Sequence, residues 1–273
     1  MLGFKLFLVT GCMRSGTSLL HDLISSASGF GTRIAPARYL AEQINLYKKY
    51  CKKDAVFSRD YFLDENAIFK DTQSFLYDRI NAAWVNAGKP QSLIFRSIDF
   101  APNVALTAEL IPDANIFISV RNPKDNITSM IKVRNKQKIF KSSVIATDIK
   151  SLCRTYNRAY LPALRAQKSN SGISARINFV RYEDAARYPE KTLSDICARL
   201  NLQPGPSGVN RNMAISKSLL ELASHTYWRT FVTELHSGPA SVESIGSHKK
   251  YISPAEAKII DRRCRHVSRK FGY

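Results

Sequence analysis

Apolar and polar positions fall into alternating blocks along the chain. Lys5–Thr10 (KLFLVT) is a short apolar run that stops at Gly11, the pattern of a buried strand. From Thr17 to Ser28 the residues Leu19, Leu20, Leu23 and Ile24 recur at helical spacing. Ser92–Phe95 (SLIF) and Asn115–Val120 (NIFISV) are two more strand-length runs, with a helical stretch from Asn103 to Ile111 between them. Pro123 opens a helix over Lys124–Arg134, because proline suits a first helical turn. Ile177–Tyr182 (INFVRY) reads as a fourth strand. Pro189–Leu200 reads as a helix with Leu193, Ile196, Cys197 and Leu200 at apolar positions. Ser253-Pro254-Ala255-Glu256 starts a last helix: serine caps, and the glutamate three residues on completes a capping box.

Strands alternating with helices predict an α/β fold in three layers, a central and mostly parallel sheet flanked by helices. The segment 35–86 looks mostly helical and reads as an insertion, a lid or an acceptor-binding element. The one linker-like stretch, Gln203–Asn210 (QPGPSGVN), is too short to separate domains, so residues 1–273 read as a single domain.

Composition adds little to that picture, and charge adds more. A 44% hydrophobic content is ordinary for a globular chain. No apolar run approaches the roughly 20 residues that cross a bilayer. Met1–Val9 lacks the basic start and small-residue cleavage site of a signal peptide. Five cysteines, odd in number and without C-x-x-C spacing, argue against a zinc site and against a secreted disulfide framework. A reducing cytoplasm is the simplest reading; a Golgi lumen fits only a chain whose anchor has been trimmed. Forty-one Lys and Arg against 22 Asp and Glu leave +19, which attracts anions over long range. Nucleotides, nucleic acid, acidic glycans and a membrane surface all meet that description.

The candidate chemistry lies where strands end. Gly11-Cys12-Met13-Arg14-Ser15-Gly16-Thr17-Ser18 joins the first strand to the first helix. In that position glycines let backbone N–H groups converge, the helix end adds a positive dipole, and Arg14, Thr17 and Ser18 add donors. The glycine spacing is that of the Walker loop G-x-x-x-x-G-K-[ST], but Thr17 stands where the lysine belongs. Arg121-Asn122-Pro123-Lys124-Asp125 follows the strand NIFISV, and Ser129 lies about two turns into the next helix, so both can meet one anion at the sheet edge. Tyr182-Glu183-Asp184 closes the strand INFVRY, where a tyrosine can stack on a base.

Together these segments resemble the sulfotransferases that use 3′-phosphoadenosine-5′-phosphosulfate (PAPS). The family's 5′-phosphosulfate loop, [PR]-[KR]-[SG]-G-T-[TS], is matched from Met13 to Ser18. Its 3′-phosphate motif, R-[DN]-P-x-D with a later serine, is matched by Arg121–Asp125 and Ser129, and its Y-E-D segment by Tyr182–Asp184. A G-x-W-K-like stretch and a terminal G-Y correspond to Gly246-Ser247-His248-Lys249 and Gly272-Tyr273. The Arg-Ser-Gly-Thr wording is closer to the carbohydrate and tyrosylprotein branches than to the cytosolic small-molecule branch. His248 replaces the usual tryptophan, and the R-K-G triplet of the cytosolic branch is absent.

The resemblance implies a P-loop NTPase-like fold and a cofactor site made of Arg14, Ser15, Gly16, Thr17, Ser18, Arg121, Ser129 and Tyr182. It implies PAPS as co-substrate, 3′,5′-adenosine bisphosphate as product, and no metal. Arg14 would neutralise charge at the sulfuryl group. For the general base, counting back from Arg121 by the family's spacing reaches Asp99, near Arg96; Glu42 comes next and Asp71 third. Of the histidines, His21, His225, His236 and His266 have no supporting constellation. A basic run, Lys132, Arg134, Lys136, Lys138 and Lys141, can hold an anionic acceptor or form a solvated face. The acceptor expected is a sugar or other hydroxyl-bearing molecule, with a tyrosyl or phenolic group next, and nucleic acid is not expected. Two rivals stand beside this reading. A P-loop kinase acting on a nucleoside or sugar requires the missing lysine. A non-enzymatic polyanion binder predicts steep weakening with salt.

Overall fold

The computed structural model of the chain describes residues 2–53, 55–138, 145–168, 172–202, 209, 214–225 and 242–273. Lys141, His236 and nearly all of the 203–210 stretch lie outside the described residues. The strands are Lys5–Gly11 (β1), Thr32–Arg33 (β2), Ser92–Arg96 (β3), Ala114–Val120 (β4), Ile177–Arg181 (β5) and Ala214–Ile215 (β6). The helices are Thr17–Ser28 (α1), Arg38–Lys48 (α2), Glu65–Asn86 (α3), Val104–Leu110 (α4), Pro123–Gln137 (α5) and Ile149–Lys168 (α6). Gly172–Arg176 (α7), Tyr182–Arg187 (α8), Pro189–Leu200 (α9), Lys217–Ser224 (α10) and Pro254–Phe271 (α11) follow.

Four strands form one parallel sheet in the order β3-β1-β4-β5. Leu6 sits opposite Leu93, Leu8 opposite Ile116, and Ile118 opposite Phe179. β2 and β6 pair separately as a short parallel ladder. The strands of the main sheet read as unbroken apolar runs because a parallel sheet is covered on both faces. Leu6, Phe7, Leu8 and Val9 are accordingly all buried. From β1 the chain moves to β3 on one side, then crosses back to β4 on the other. With right-handed crossovers, that reversal sends successive helices to opposite faces. α1 packs with α8 and α9, while α4, α5, α7 and α11 gather round α6. One apolar core runs through these layers from Leu6 to Val267.

The reversal matters for function. Where strand order reverses, the loops after the flanking strands leave a crevice at the carboxyl ends, and ligands bind there. β1 and β4 are the two neighbours at that point, and they carry the two basic motifs. The 35–86 segment holds α2 and α3, which pack on each other beside the β3 edge. Ala37 N donates to Arg96 O (2.9 Å), tying the start of α2 to the carboxyl end of β3.

The structure departs from the sequence pattern in several places. The fourth strand ends at Arg181, because Tyr182 already opens α8. The stretch read as helical from Asn103 begins as a 3-10 turn over Ile98–Asn103, and α4 starts at Val104. α6, the helix that lines the back of the site, has no counterpart in the predicted elements.

Candidate active site

The loop after β1 turns tightly, with Ser15 N donating to Cys12 O (3.0 Å). Its two glycines are there for contact as well as for conformation. Gly11 has φ 149°, and a Cβ on it would stand 2.5 Å from Ser119 O of β4. Gly16 has φ 98°, and a Cβ on it would stand 2.3 Å from the Tyr182 ring. Arg14 itself lies in the left-handed region at φ 68°, a sparsely populated conformation for a residue with a side chain. α1 then starts with no side-chain cap and no acidic residue in its first turn. Its first amides and positive dipole end are left for an anion. Ser18 Oγ accepts from Arg96 Nη1 (2.7 Å), which joins the loop to the end of β3.

Arg121 leaves β4 beside this loop and is only 5% exposed. Its Nη1 donates to Arg14 O (3.1 Å) and its Nη2 to Ser244 O (2.8 Å). The guanidinium lies over the Tyr182 ring at 4.6 Å, and the Tyr182 hydroxyl shares a hydrogen bond with Ser244 Oγ (2.7 Å). Arg14 Nε in turn donates to Ser129 Oγ on α5 (3.3 Å). Four separately predicted residues, Arg14, Arg121, Ser129 and Tyr182, therefore meet in one place.

The electrostatics of that place call for an anion. Burial, reinforced by the neighbouring Arg121 charge, pushes the Arg14 guanidinium down to about 10. Arg121 Nε is buried without a hydrogen-bond acceptor, and Arg121 forms no ion pair among the described residues. A buried donor left unmatched is costly, and a phosphate oxygen would satisfy it. The residues present thus fit a doubly phosphorylated nucleotide.

A shell of polar groups holds this arrangement; Asp125, Glu183, His248 and Tyr273 lie in the sequence motifs, whereas the pattern does not single out Tyr156, Tyr160 and Ser119. Tyr160 of α6 donates its hydroxyl to Ser119 O (3.0 Å) and accepts from Cys12 N (3.3 Å). Tyr156, one turn earlier, donates to Arg121 O (2.8 Å). Burial raises both phenols well above their ordinary value, so each remains a neutral donor. Asn126 Nδ2 donates to Met13 O (2.8 Å) and Ser119 Oγ to Ser15 O (2.7 Å). Glu183 accepts from Asn122 N (2.9 Å) and from the Tyr273 hydroxyl (2.6 Å), binding the Y-E-D and G-Y segments to the 3′-phosphate motif. Asp125, 2% exposed, accepts from Gly246 N (2.7 Å) and His248 N (3.0 Å) and contacts His248 Nδ1 (2.7 Å). The stretch Ser244–Lys249 is thereby strapped over the Arg121 side of the site.

The signal for α6 was present as apolar spacing through Leu152, Tyr156, Ala159 and Ala163. Both ends of the contact that holds the strap lie in sequence motifs, Arg121–Asp125 and Gly246–Lys249, but nothing in the pattern joins them, because Asp125 grips backbone amides and every residue type except proline has one.

The base candidates scatter. Asp99 is half-buried in the first turn after β3, with Oδ2 accepting from Ser97 Oγ (3.0 Å), three residues beyond Arg96. Glu42 is 53% exposed and pairs with Arg38 (3.5 Å). Asp71 lies on α3, lining a cavity against α2. His21 is buried in α1 beside Asp22, whereas His225 and His266 are exposed. In the basic run, Lys132 lies 4.0 Å over the Tyr251 ring and Arg134 donates to the Ala146 and Thr147 carbonyls. The described residues contain no cluster that could hold a metal ion, and no described helix is long and apolar enough to cross a membrane.

Comparison with known proteins bears on this geometry. Residues 7–204 match the sequence model of the sulfotransferase family. No curated protein matches the sequence. Among solved structures, the chain is similar to the sulfotransferase domain from the curacin biosynthetic pathway, at 16% identity and a TM-score of 0.60, covering 97% of this chain and 98% of that one. It is also similar to the sulfotransferase domain of the Synechococcus PCC 7002 olefin synthase, at 14% identity and a TM-score of 0.53, with coverage of 99% and 94%. Mouse sulfotransferase SULT7A1, solved as a complex with PAP, aligns at 13% identity and a TM-score of 0.52, with coverage of 96% and 84%. At such identities the structures speak for the fold, which is the P-loop NTPase-like one. The sequence model covers most of the chain, and both of its basic loops lie inside the match: this protein belongs to the sulfotransferase family.

Proposed function

We propose that the chain transfers a sulfuryl group from PAPS to an acceptor hydroxyl by in-line displacement. The observation that carries this reading is the meeting of Arg14, Ser129 and Arg121, joined by the 3.3 Å and 3.1 Å hydrogen bonds described above. When bound, PAPS supplies the sulfuryl group and a phosphate leaving group. The amides of Ser15–Ser18, with the Thr17 and Ser18 hydroxyls, would hold its 5′-phosphate, and Arg121 and Ser129 its 3′-phosphate. Arg14 would neutralise the charge that grows as the sulfur–phosphate oxygen bond breaks.

Asp99 is our choice for the base that takes the acceptor's proton. It shares the carboxyl edge of β3 with Arg96, whose guanidinium touches the loop at Ser18. Glu42, exposed and paired with Arg38, ranks second. A sugar or another hydroxyl-bearing acceptor, including an anionic one, suits the loop wording and the +19 charge. The family match favours sulfuryl transfer over phosphoryl transfer by a kinase.

Calorimetry tests the reading. 3′,5′-Adenosine bisphosphate should bind without magnesium and in preference to AMP. Arg14→Ala and Arg121→Ala should each weaken it by about tenfold or more, the value of a lost charge-assisted hydrogen bond. Equal affinity for AMP and the bisphosphate would sink the PAPS site. Undiminished turnover in Asp99→Asn would remove that residue as base.

A further inference from the structure

α2, α3 and the segment between them line a half-open cavity of about 570 Å³, within the range of small-molecule sites. Six aromatic rings line it: Tyr47, Tyr50, Phe57, Tyr61, Phe62 and Phe75. Its mouth leaves large apolar side chains in water, with Phe57 69% and Tyr61 82% exposed. Clustered exposure of this kind marks a binding surface and not a scattered surface residue.

The cavity lies on a track that starts at the reaction edge. The buried side of α2 is Leu40, Ala41 and Ile44. The other side carries Tyr39, Gln43, Leu46, Tyr47 and, two residues past the helix end, Tyr50, spaced as one helical stripe. All but Tyr39 line the cavity. Tyr39 bridges to it through Phe75, whose ring lies 6.0 Å away and does line it. Just before Tyr39, Ala37 is bonded to Arg96 O, and the Arg96 side chain touches Ser18 of the phosphate loop. From Tyr39 to Tyr47 the stripe is about 12 Å long.

Six aromatic rings with Leu46 and Ile68 make up most of the lining, and Gln43, Lys49, Ser58, Asp71 and Thr72 are its other side chains. Ser58 Oγ is engaged by Tyr50 O (3.0 Å) and Ala55 O (2.9 Å), and Thr72 Oγ1 by Ile68 O (2.8 Å). A sugar ring needs several directed hydrogen-bond partners as well as an aromatic platform. This wall is mostly platform: Ser58 and Thr72 already donate to the backbone, and Gln43, Lys49, Asp71 and the tyrosine hydroxyls are a polar minority.

Resting on the sulfuryl-transfer reading, we infer that this cavity holds the apolar body of the acceptor. The acceptor is then an amphipathic alcohol: a hydroxyl head at the carboxyl edge of β3 and an elongated alkyl or aryl tail along the α2 stripe into the cavity.

The test uses a neutral apolar fluorophore, N-phenyl-1-naphthylamine, so that the chain's positive charge plays no part. Straight-chain alcohols from hexanol to dodecanol should displace it with affinity rising by up to about fourfold per methylene. Gln43→Trp, which fills the cavity, and the double variant Phe57→Ser with Tyr61→Ser, at exposed positions, should each weaken the dye by about tenfold. Binding of 3′,5′-adenosine bisphosphate should stay unchanged in both. With PAPS present, KM for the alcohols should fall with chain length while kcat stays level, because the tail binds equally in ground and transition states. Displacement independent of chain length, dye binding untouched in both variants, or a flat kcat/KM across the alcohols would each overturn the inference. Loss of nucleotide binding in the unmodified chain would strike the sulfotransferase reading instead, and the dye results are read separately from it.

Discussion

Gly16 shows how a single residue can be fixed from two sides. Its φ of 98° suits glycine, and the space a Cβ would take is occupied by the Tyr182 ring. The same ring lies against the Arg121 guanidinium, so a methyl group at position 16 would displace the arginine proposed to hold the 3′-phosphate. Gly16→Ala should therefore cost about 1–3 kcal/mol of stability. It should also lower affinity for 3′,5′-adenosine bisphosphate. Urea unfolding and calorimetry read the two effects, and an unchanged denaturation midpoint would contradict the packing argument. Arg14, beside it, is a case of crowding by like charge. Its depressed pKa of about 10 still leaves it charged at neutral pH, and a bound anion relieves the repulsion with Arg121.

At the level of elements, the strap over the site is held at Ser244 by Arg121 and Tyr182 and at Gly246 and His248 by one carboxylate. Asp125 takes two backbone amides and the His248 ring, so Asp125→Asn removes the negative charge from all three contacts. We expect the bisphosphate to leave about tenfold faster in that variant, with only a small loss of melting temperature. Stopped-flow displacement measures the rate, and an unaltered rate would mean that the strap does not retain the nucleotide. The two ends of this device were legible as motifs and their contact was not. β1, β3, β4 and β5 could be read from the chain because strands buried on both faces must be apolar throughout. α11 could be read from Ser253 and Glu256, whose capping box is present as expected. Arg14, Arg121, Ser129 and Tyr182 were visible because they sit at fixed distances from strand ends. α6 keeps helical spacing through Leu152, Tyr156, Ala159 and Ala163, but that pattern announces a helix and not its place at the site. Tyr156 and Tyr160 serve the site through carbonyls and an amide, which no residue type at the other end announces.

For the molecule as a whole, pH acts through a buried histidine. His21 is 3% exposed, and burial pushes its pKa below 6.5, with the Arg96 and Arg33 charges adding to the fall and Asp22 opposing it. Below about pH 6.5 the unfolded chain binds a proton that the folded chain resists, so stability falls as pH falls. The melting temperature should drop between pH 7 and pH 5, and His21→Gln should flatten that dependence. An equal slope in the variant would assign the effect elsewhere. One further consequence concerns the order in which the parts are made. The phosphate loop is near the start of the chain, yet Ser244 and Tyr273 are among the residues that brace its surroundings. During synthesis at typical rates, on the order of ten to fifty seconds separate the emergence of Gly11 from that of Ser244. Ser119 and Tyr182 emerge earlier, but until Ser244 and Tyr273 follow the loop lacks part of its bracing, and the nascent polypeptide carries the motif before its surroundings are complete.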